Sequence, residues 1–474
     1  SFPTRRSSDL QVLGQDLTDP WPEKLLEDLK SAFYMFLKLC KSTLKIDDHR
    51  VVAEKFLQYI SIFPMPTLFE DSEEQIVKNI KLSKEELLTN TDVEDISYVE
   101  NTPEEKDSAN IRRIFNRIMN RNTALKVGFV YDAGIDESRW VGSHETGRLY
   151  LEGMKELNAE TESYIIKNHN DSVEETIQAA VDDKNEIIFT ITPSMLNETL
   201  KMAVSHPEIK FLNCSLGQPH PSIRCYHGKL FEASFLMGVL AADILLTTFN
   251  ETDVRRIGYV VHEVQSMSVA NLNAFAIGVS MIDPECRISL KYLGDGEHAD
   301  YRKEWEEEGI RIFADIQYST TPGKSGKPGV YRVEGSKDIY IGAPYFGWGR
   351  IYTQIVQSVL SGSWNTLETA EENNVMNYWF GLSSGVVDVV APNLPYQTKK
   401  MLSFFKTAII MGNLDPFSGE LHSGTETVHK DMEGLGSNIP FDLKRMPAGK
   451  IVTMDWFNEN IDGTIPLYTP HTLG

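Results

Sequence analysis

The stretch that decides the fold runs from Ala124 to Gly153: ALKVGFVYDAGIDESRWVGSHETGRLYLEG. Val127, Phe129 and Val130 give a short apolar run, so Lys126 to Tyr131 reads as a strand. The strand ends at Asp132, and Ala133 to Ser138 reads as a polar loop. A helix follows from Ser138 or Arg139, carrying Trp140, Thr146, Leu149, Tyr150 and Met154. Strand, polar loop and helix make the first half of a βαβ unit. In open parallel sheets ligands bind beyond the carboxyl ends of the strands. Asp132 and Trp140 therefore stand where a ligand would be met.

The same alternation continues outward. Strands are expected at 163–167, 186–192, 210–215 and 222–226, with helices at 172–181 and 195–205 between them. Lys229 to Leu246 reads as a helix apolar on nearly every face, hence buried. Asn250 to Asp253 then looks like a crossing point. A second series has strands at 256–261, 287–293 and 311–316 and helices at 266–281 and 298–308. Short strands at 329–333 and 339–342 lead to a helix at 348–361. Trp379 to Val390 reads as a strand pair or a strand and turn, 396–411 as a helix, 415–419 as a turn-rich hairpin and 454–457 as helix-like. Strands alternating with helices imply parallel sheets, and two such series imply two lobes with a cleft between them. Upstream, helices are expected within 20–60 and 73–80, an acidic linker near 89–110 and a lead-in helix at 111–118. Ser1–Leu10 (SFPTRRSSDL) fits no fold pattern and matches a translated sequencing adapter, so it is set aside from fold reasoning.

The chain has 474 residues, a net charge of −22 and 41% hydrophobic residues. That acidic balance disfavours nucleic-acid binding by the lobes. Four cysteines without CxxC spacing suggest neither a disulfide framework nor a zinc site. The longest apolar run, Phe235 to Leu246, is interrupted by Gly238 and Asp243 and is short for a membrane span. GxGxxG, a phosphate loop and HExxH are all absent, and no nucleophile–base pair stands out, so an enzyme is the weakest reading. No cofactor or metal is implied. What stands out is polar and aromatic residues at strand ends: Asp132, Thr192, Tyr226, Glu263, Gln265, and Tyr345, Phe346 and Trp348 after Pro344. Such a lining suits a flat polar small molecule.

From Ala124 onward the chain resembles the basic membrane protein family, the PnrA-like substrate-binding proteins of ABC transporters. The residues that carry the likeness are KVGFVYD at 126–132, EIIFTI at 186–191, HPEIKFLNCS at 206–215 and YHGKLFEASFLMGVLAA at 226–242. RRIGYV at 255–260, NAFAIGVSMIDP at 273–284 and GLSSGVVDVV at 381–390 extend it. The resemblance implies a type I periplasmic-binding-protein fold that closes on a ligand; known family ligands are purine nucleosides. Asp132 matches the acidic residue ending the family's first strand, and Trp140 the aromatic of its first helix that stacks on the base. Ser266 and Met267 match a loop of the second lobe that touches ligand. The chain departs where the family places a ribose-binding Asp, reading Thr192-Pro193-Ser194, and again at Arg332-Val333-Glu334. The family's second stacking aromatic falls near Gly296, and its Lys at Gly347-Trp348. Phe346 or Trp348 is the candidate for the second stack.

The expected fold is therefore α/β, two Rossmann-like lobes with parallel sheets joined by a multi-crossing hinge, after a helical N-terminal segment. The expected division is 1–10 adapter, 11–88 helical segment, 89–123 linker and lead-in helix, 124–250 first lobe, 251–362 second lobe, and 363–474 return to the first lobe with a hinge and tail. The expected function is a solute-binding protein of an ABC import system, handing a small aromatic or nucleoside-like ligand to an ABC permease. The alternative is a cytosolic ligand sensor on the same fold, its N-terminal segment an interaction module. The expected ligand-binding set is Asp132, Trp140, Thr192, Ser194, Tyr226, Ser266, Met267, Phe346 and Trp348. The family implies an extracytoplasmic, membrane-anchored protein, whereas a long clostridial-type subgroup, to which the likeness is closer, often looks cytosolic.

Overall fold

The computed structural model describes residues 36–38, 98–99, 123–166, 172–216, 220, 222–249, 254–265, 267–294, 301–318, 327–335, 337–362, 364, 377–429 and 446–466. The helices expected within 20–60, at 73–80 and at 111–118 lie outside these residues, apart from a helical fragment at 36–38. Two compact units divide the chain: Ser1–Asp92 with Met411–Asn413 and Met432–Lys444, and Val93–Ile410 with Leu414–Asp431 and Arg445–Gly474. The second unit carries both lobes described below.

Among the described residues the first sheet has seven strands in the order β1-β12-β6-β5-β4-β2-β3. These are β1 (Tyr98–Val99), β2 (Leu125–Tyr131), β3 (Ala159–Ile165), β4 (Ile187–Thr190), β5 (Lys210–Asn213), β6 (Ile223–Gly228) and β12 (Asn377–Phe380). Every neighbouring pair is parallel. Buried on both faces, β2 and β4 read as near-continuous apolar runs, as parallel strands under two helix layers do. Helices α1 (Arg139–Gly153), α2 (Val173–Asp182) and α3 (Leu196–Ser205) make the crossovers.

The second sheet is mixed, in the order β13-β11-β10-β9-β7-β8-β16. β7 (Arg256–Val261), β8 (Arg287–Tyr292), β9 (Ile312–Asp315) and β16 (Ile461–Asp462) run parallel. β10 (Gly329–Glu334), β11 (Lys337–Phe346) and β13 (Val387–Val390) are antiparallel to their neighbours. Glu334 and Lys337 are too close in sequence for a parallel crossover, which needs a dozen residues or more. Helices α5 (Ser268–Ile282) and α6 (Tyr301–Glu307) complete this lobe.

The second lobe also holds α4 (Leu230–Thr248), buried along most of its length. It is long and apolar enough to cross a membrane, and in this fold it is a core helix. α4 packs on α5 and shares one core with Ile257, Ile288, Ile312 and Val330 of the second sheet. The two helices approach at Gly238 and Gly278, where a Cβ would lie 2.0 Å from the Phe275 carbonyl and 2.2 Å from the Phe235 carbonyl. Larger residues would force the helices apart.

Among the described residues the chain crosses between lobes three times; the crossing expected at 250–253 lies outside them. The chain leaves the first sheet after Gly228 and enters α4, one helix earlier than the expected boundary at 250. It returns between Phe346 and Trp348, because α7 (Trp348–Ser361) packs against α1 in the core of the first lobe. It crosses again between Phe380 of β12 and Val387 of β13. The segment expected to be a strand pair or a strand and turn is thus two strands in different sheets. After the third crossing, α8 (Tyr396–Ile410) packs on α4, and β16 joins the second sheet, so the tail belongs largely with the second lobe. A hairpin, β14 (Leu421–Ser423) and β15 (Glu426–His429), follows the turn at 415–419. Residues 454–457 form no helix; the short α9 (Ala448–Val452) precedes them.

The crossings are laced together. Lys229 N–H donates to the Phe380 carbonyl at 2.7 Å and Gly347 N–H to the Val386 carbonyl at 2.6 Å. Leu382 N–H donates to Glu232 Oε2 at 2.7 Å. At Gly228 a Cβ would meet the Phe346 ring at 2.7 Å, so the first and second crossings touch directly.

Candidate ligand-binding cleft

A cavity of about 200 Å3 opens between the lobes at the carboxyl ends of β2, β4, β7 and β9. Asp132, Trp140, Thr192, Pro193 and Ser194 line it from the first lobe. His227, Leu230, Ser234 and Phe346 line it from the crossings and the start of α4. Tyr259, Val261, Val264, Gln265, Ser268, Asn271, Ile316, Gln317 and Tyr318 line it from the second lobe.

Trp140 is fixed by the helix start beneath it. Ser138 caps α1, its Oγ accepting from the N–H groups of Trp140 at 3.1 Å and Val141 at 3.3 Å. The indole Nε1–H donates to the Ile191 carbonyl at 2.6 Å, so Trp140 offers the cavity ring surface rather than a polar group. Phe346 and Trp348 meet it edge-on, with ring centroids 5.5 Å and 5.6 Å away. His227 lies roughly parallel to it at 5.9 Å.

Phe346 is itself held from behind. Trp348 stacks on it at 4.4 Å and 14°, and His144 stacks on Trp348 at 4.4 Å and 10°. Trp348 Nε1–H donates to Ser143 Oγ at 3.0 Å, and His144 Nδ1 pairs with the Tyr352 hydroxyl at 2.5 Å. Phe346 therefore forms the front of a three-ring stack rooted in α1 and α7.

The polar lining is short of positive charge. Among the described residues no Lys or Arg lines the cavity. Burial pushes the Asp132 carboxyl above its ordinary value, the Thr192 hydrogen bond lowers it, and the Glu263 carboxylate raises it. Asp132 Oδ1 is buried without a hydrogen-bond partner. Burial pushes His227 down to about 4, so the ring is neutral at pH 7. Such a wall accepts uncharged or weakly cationic molecules carrying N–H or O–H groups and disfavours phosphate.

Of the nine residues expected from the sequence, Asp132, Trp140, Thr192, Ser194 and Phe346 are brought together around the cavity. Ser266 lies outside the described residues. Three others sit elsewhere. Tyr226 is fully buried in the first-lobe core, its hydroxyl 3.4 Å from that of Tyr352. β6 extends beyond Tyr226, and alternate residues of a strand face opposite ways, so the next residue, His227, reaches the cavity. Met267 occupies a left-handed position before α5 (φ 72°) and points into the second-lobe core. Trp348 is fully buried behind Phe346. Sequence reasoning missed His227, Ser268, Asn271 and Tyr318. Gln317, at a strand end, carried the same positional signal as Asp132; Asn271, inside a helix, carried none.

Two α/β lobes joined by three crossings, with a lined cavity in the cleft, define a type I periplasmic-binding-protein fold. The family described as ABC transporter substrate-binding protein, PnrA-like (Bmp) matches residues 124–410, and the chain belongs to it. It is a family of substrate-binding proteins, not enzymes. A purine-binding protein of Brucella abortus is 24% identical over 313 residues, covering 63% of this chain and 84% of the relative. A protein of Haloferax volcanii, named for glucose binding by an ABC transporter, is 22% identical over 342 residues, covering 67% and 81%. Among solved structures, a solute-binding protein from Conexibacter woesei aligns with TM-score 0.46 and 12% identity over 62% of this chain and 98% of that one. A transcriptional activator of the comK gene from Bacillus halodurans aligns at 0.44 and 13%, over 60% and 98%.

Proposed function

We propose that this substrate-binding protein captures a small, flat, uncharged N-heterocycle, a purine base or nucleoside, and delivers it to an ABC permease at the outer face of the cell membrane. The observation that carries this reading is the wall itself. Trp140 and Phe346 offer ring surface, Asp132 offers a desolvated acceptor, and among the described residues no cationic side chain lines the cavity. Aromatic surface suits a base, and a desolvated carboxylate suits its N–H groups. The purine-binding relative supports the same class. The family's two ribose carboxylates are replaced here, which favours recognition centred on the base.

Thermal shift against purine bases, nucleosides, nucleotides and glucose tests the reading. A ligand at 100 times its Kd stabilises by about 2.7 kcal/mol. Bases or nucleosides are expected to raise the Tm, and nucleotides and glucose are not. Stabilisation by glucose alone would replace the heterocycle with a sugar. Membrane fractionation of the source cells tests the location, and a wholly cytosolic pool would remove the transport role.

A further inference from the structure

Three amide side chains line the cavity, and two are already occupied. Gln265 Nε2 donates to the Glu263 carboxylate and, at 3.1 Å, to the Tyr318 carbonyl, while Gln265 Oε1 accepts from Gln317 Nε2 at 3.4 Å. Gln317 Oε1 accepts the N–H groups of His262 at 2.8 Å and Glu263 at 3.2 Å, and its Nε2 also donates to the Glu263 carbonyl at 2.6 Å. These two amides rivet the loops of the second lobe together. The third, Asn271, lies in the first turn of α5. Its Oδ1 is buried and has no hydrogen-bond partner.

The first lobe presents a matching feature. Asp132 Oδ1 is also buried without a partner. At the crossing, His227 Nδ1 pairs with the Gly228 carbonyl at 2.9 Å. A carbonyl only accepts, so Nδ1 carries the proton and Nε2 is left as an acceptor. Each lobe thus contributes an orphaned acceptor to one cavity. Buried acceptors without donors are costly, and a ligand that supplies N–H groups removes that cost.

We infer that Asn271 is a specificity-determining residue: its amide oxygen accepts from the exocyclic amino group of an aromatic heterocycle, so the cleft selects amino-purines over their oxo counterparts. The inference rests on the proposed heterocycle function and goes further, to the substituent that the site reads. An oxo group in place of the amino group removes two exocyclic N–H donors and adds an acceptor, while the adjacent ring nitrogen gains one N–H, a net loss of one donor on that edge. It then faces a wall of acceptors and leaves at least one of them unpaired. Sites built to bond a donor reject the analogue lacking it far more strongly than an apolar pocket rejects a missing methylene.

Calorimetric titration of the full chain with adenine against hypoxanthine, and adenosine against inosine, tests the inference. The wild-type protein is expected to bind the amino member at least tenfold more tightly. Asn271→Leu should reduce that ratio below threefold, while Asn271→Asp, which keeps an acceptor and cannot turn to donate, should retain it. The unliganded Tm of each variant reports whether it is folded. Equal binding of the paired purines by the wild type, or an unchanged ratio in folded Asn271→Leu, overturns the inference and leaves heterocycle binding standing. Loss of the amino preference in folded Asn271→Asp overturns it too, since Asn271 would then act as a donor. Absence of binding by any purine overturns both.

Discussion

Arg139 and Asp315 join the two lobes by a two-pronged ion pair, Nη1 lying 2.9 Å from Oδ1 and Nη2 3.2 Å from Oδ2. Arg139 is the first residue of α1, beside Trp140, and Asp315 ends β9, two residues before Gln317. Arg139 Nη1 also donates to the Gln317 carbonyl at 3.0 Å, and His262 Nε2 lies 2.9 Å from Asp315 Oδ1. The side chains are only 6% and 15% exposed, so the pair is little screened by solvent. The latch is thus built on the elements that carry the cavity wall, and closing it brings the two halves of the wall together.

Arg139→Ala should speed ligand release. Truncating one partner of a desolvated charge pair typically costs about 2–5 kcal/mol and acts mainly on dissociation. The dissociation rate is expected to rise at least tenfold in stopped-flow measurements. Arg139→Lys should restore it only partly, because a lysine cannot bond both carboxylate oxygens at once. An unchanged dissociation rate in Arg139→Ala would show that the latch plays no part in closure.

The same pair sets an acid limit. Burial alone would raise the Asp315 carboxyl; the His262 hydrogen bond and Arg139 outweigh burial and hold it below its ordinary value of 3.8. With the folded value depressed, its stabilisation is present above the unfolded value and lost as the pH falls through the folded one. Asp315→Asn is expected to destabilise at pH 7 and to flatten the fall in Tm below about pH 4. Parallel Tm profiles for the two proteins would assign the acid limit to other carboxylates.

Asp132 carries the opposite sign. Its value is raised, chiefly by burial, so its contribution favours the fold at low pH and is lost as the pH rises from the unfolded value through the raised one. At neutral pH, Asp132→Asn should raise the unliganded Tm, by roughly 0.5–2 kcal/mol of stability, the usual gain when a functional compromise is relieved. The same variant should weaken ligand binding. A lower unliganded Tm would mean that Asp132 serves the fold rather than the ligand.

Gly238→Ala tests the junction of α4 with α5. Its Cβ would lie 2.0 Å from the Phe275 carbonyl, a backbone atom that no rotamer change can move. Overpacking of this kind costs about 1–3 kcal/mol or more. Chemical denaturation should show a shift of that size with an unchanged slope. A shift well under 1 kcal/mol would mean that the helices separate easily.

Phe346 and Trp348 should respond differently. Phe346→Ala removes cavity wall and is expected to weaken binding at least tenfold. Trp348→Phe keeps the stacked ring behind the wall and loses the bond to Ser143, so binding should change less than threefold while stability falls by about 0.5–1.5 kcal/mol. Equal losses in both would place Trp348 in the site itself.

How far the site was legible in the residues follows strand geometry. Asp132, Thr192 and Ser194 line the cavity and directly follow parallel strands, a position that the sequence alone reveals. Tyr226 and His227 are adjacent near the end of β6 and face opposite ways, so the tyrosine enters the core while the histidine lines the cavity, and an apolar run does not say which of the two faces the cleft. Trp348 lies behind the wall, stacked on Phe346, and a large aromatic reads alike in front of a wall or behind it. Asn271 was invisible, since a polar residue in the first turn of a helix has many ordinary partners; only the absence of one marks it.

The sequence by itself determined the local elements and the family. Apolar runs of strand length alternate with helical spacing, and these are short-range properties of neighbouring residues. It also determined that the buried helix following β6 would be core. The tertiary structure alone decided where the chain changes lobes, that the second sheet is half antiparallel, and which side chains share the cavity. Those outcomes depend on residues far apart in the chain, such as Gly228 against Phe346 and Arg139 against Asp315. Their contacts arise from packing and close approach in space, which no local pattern encodes.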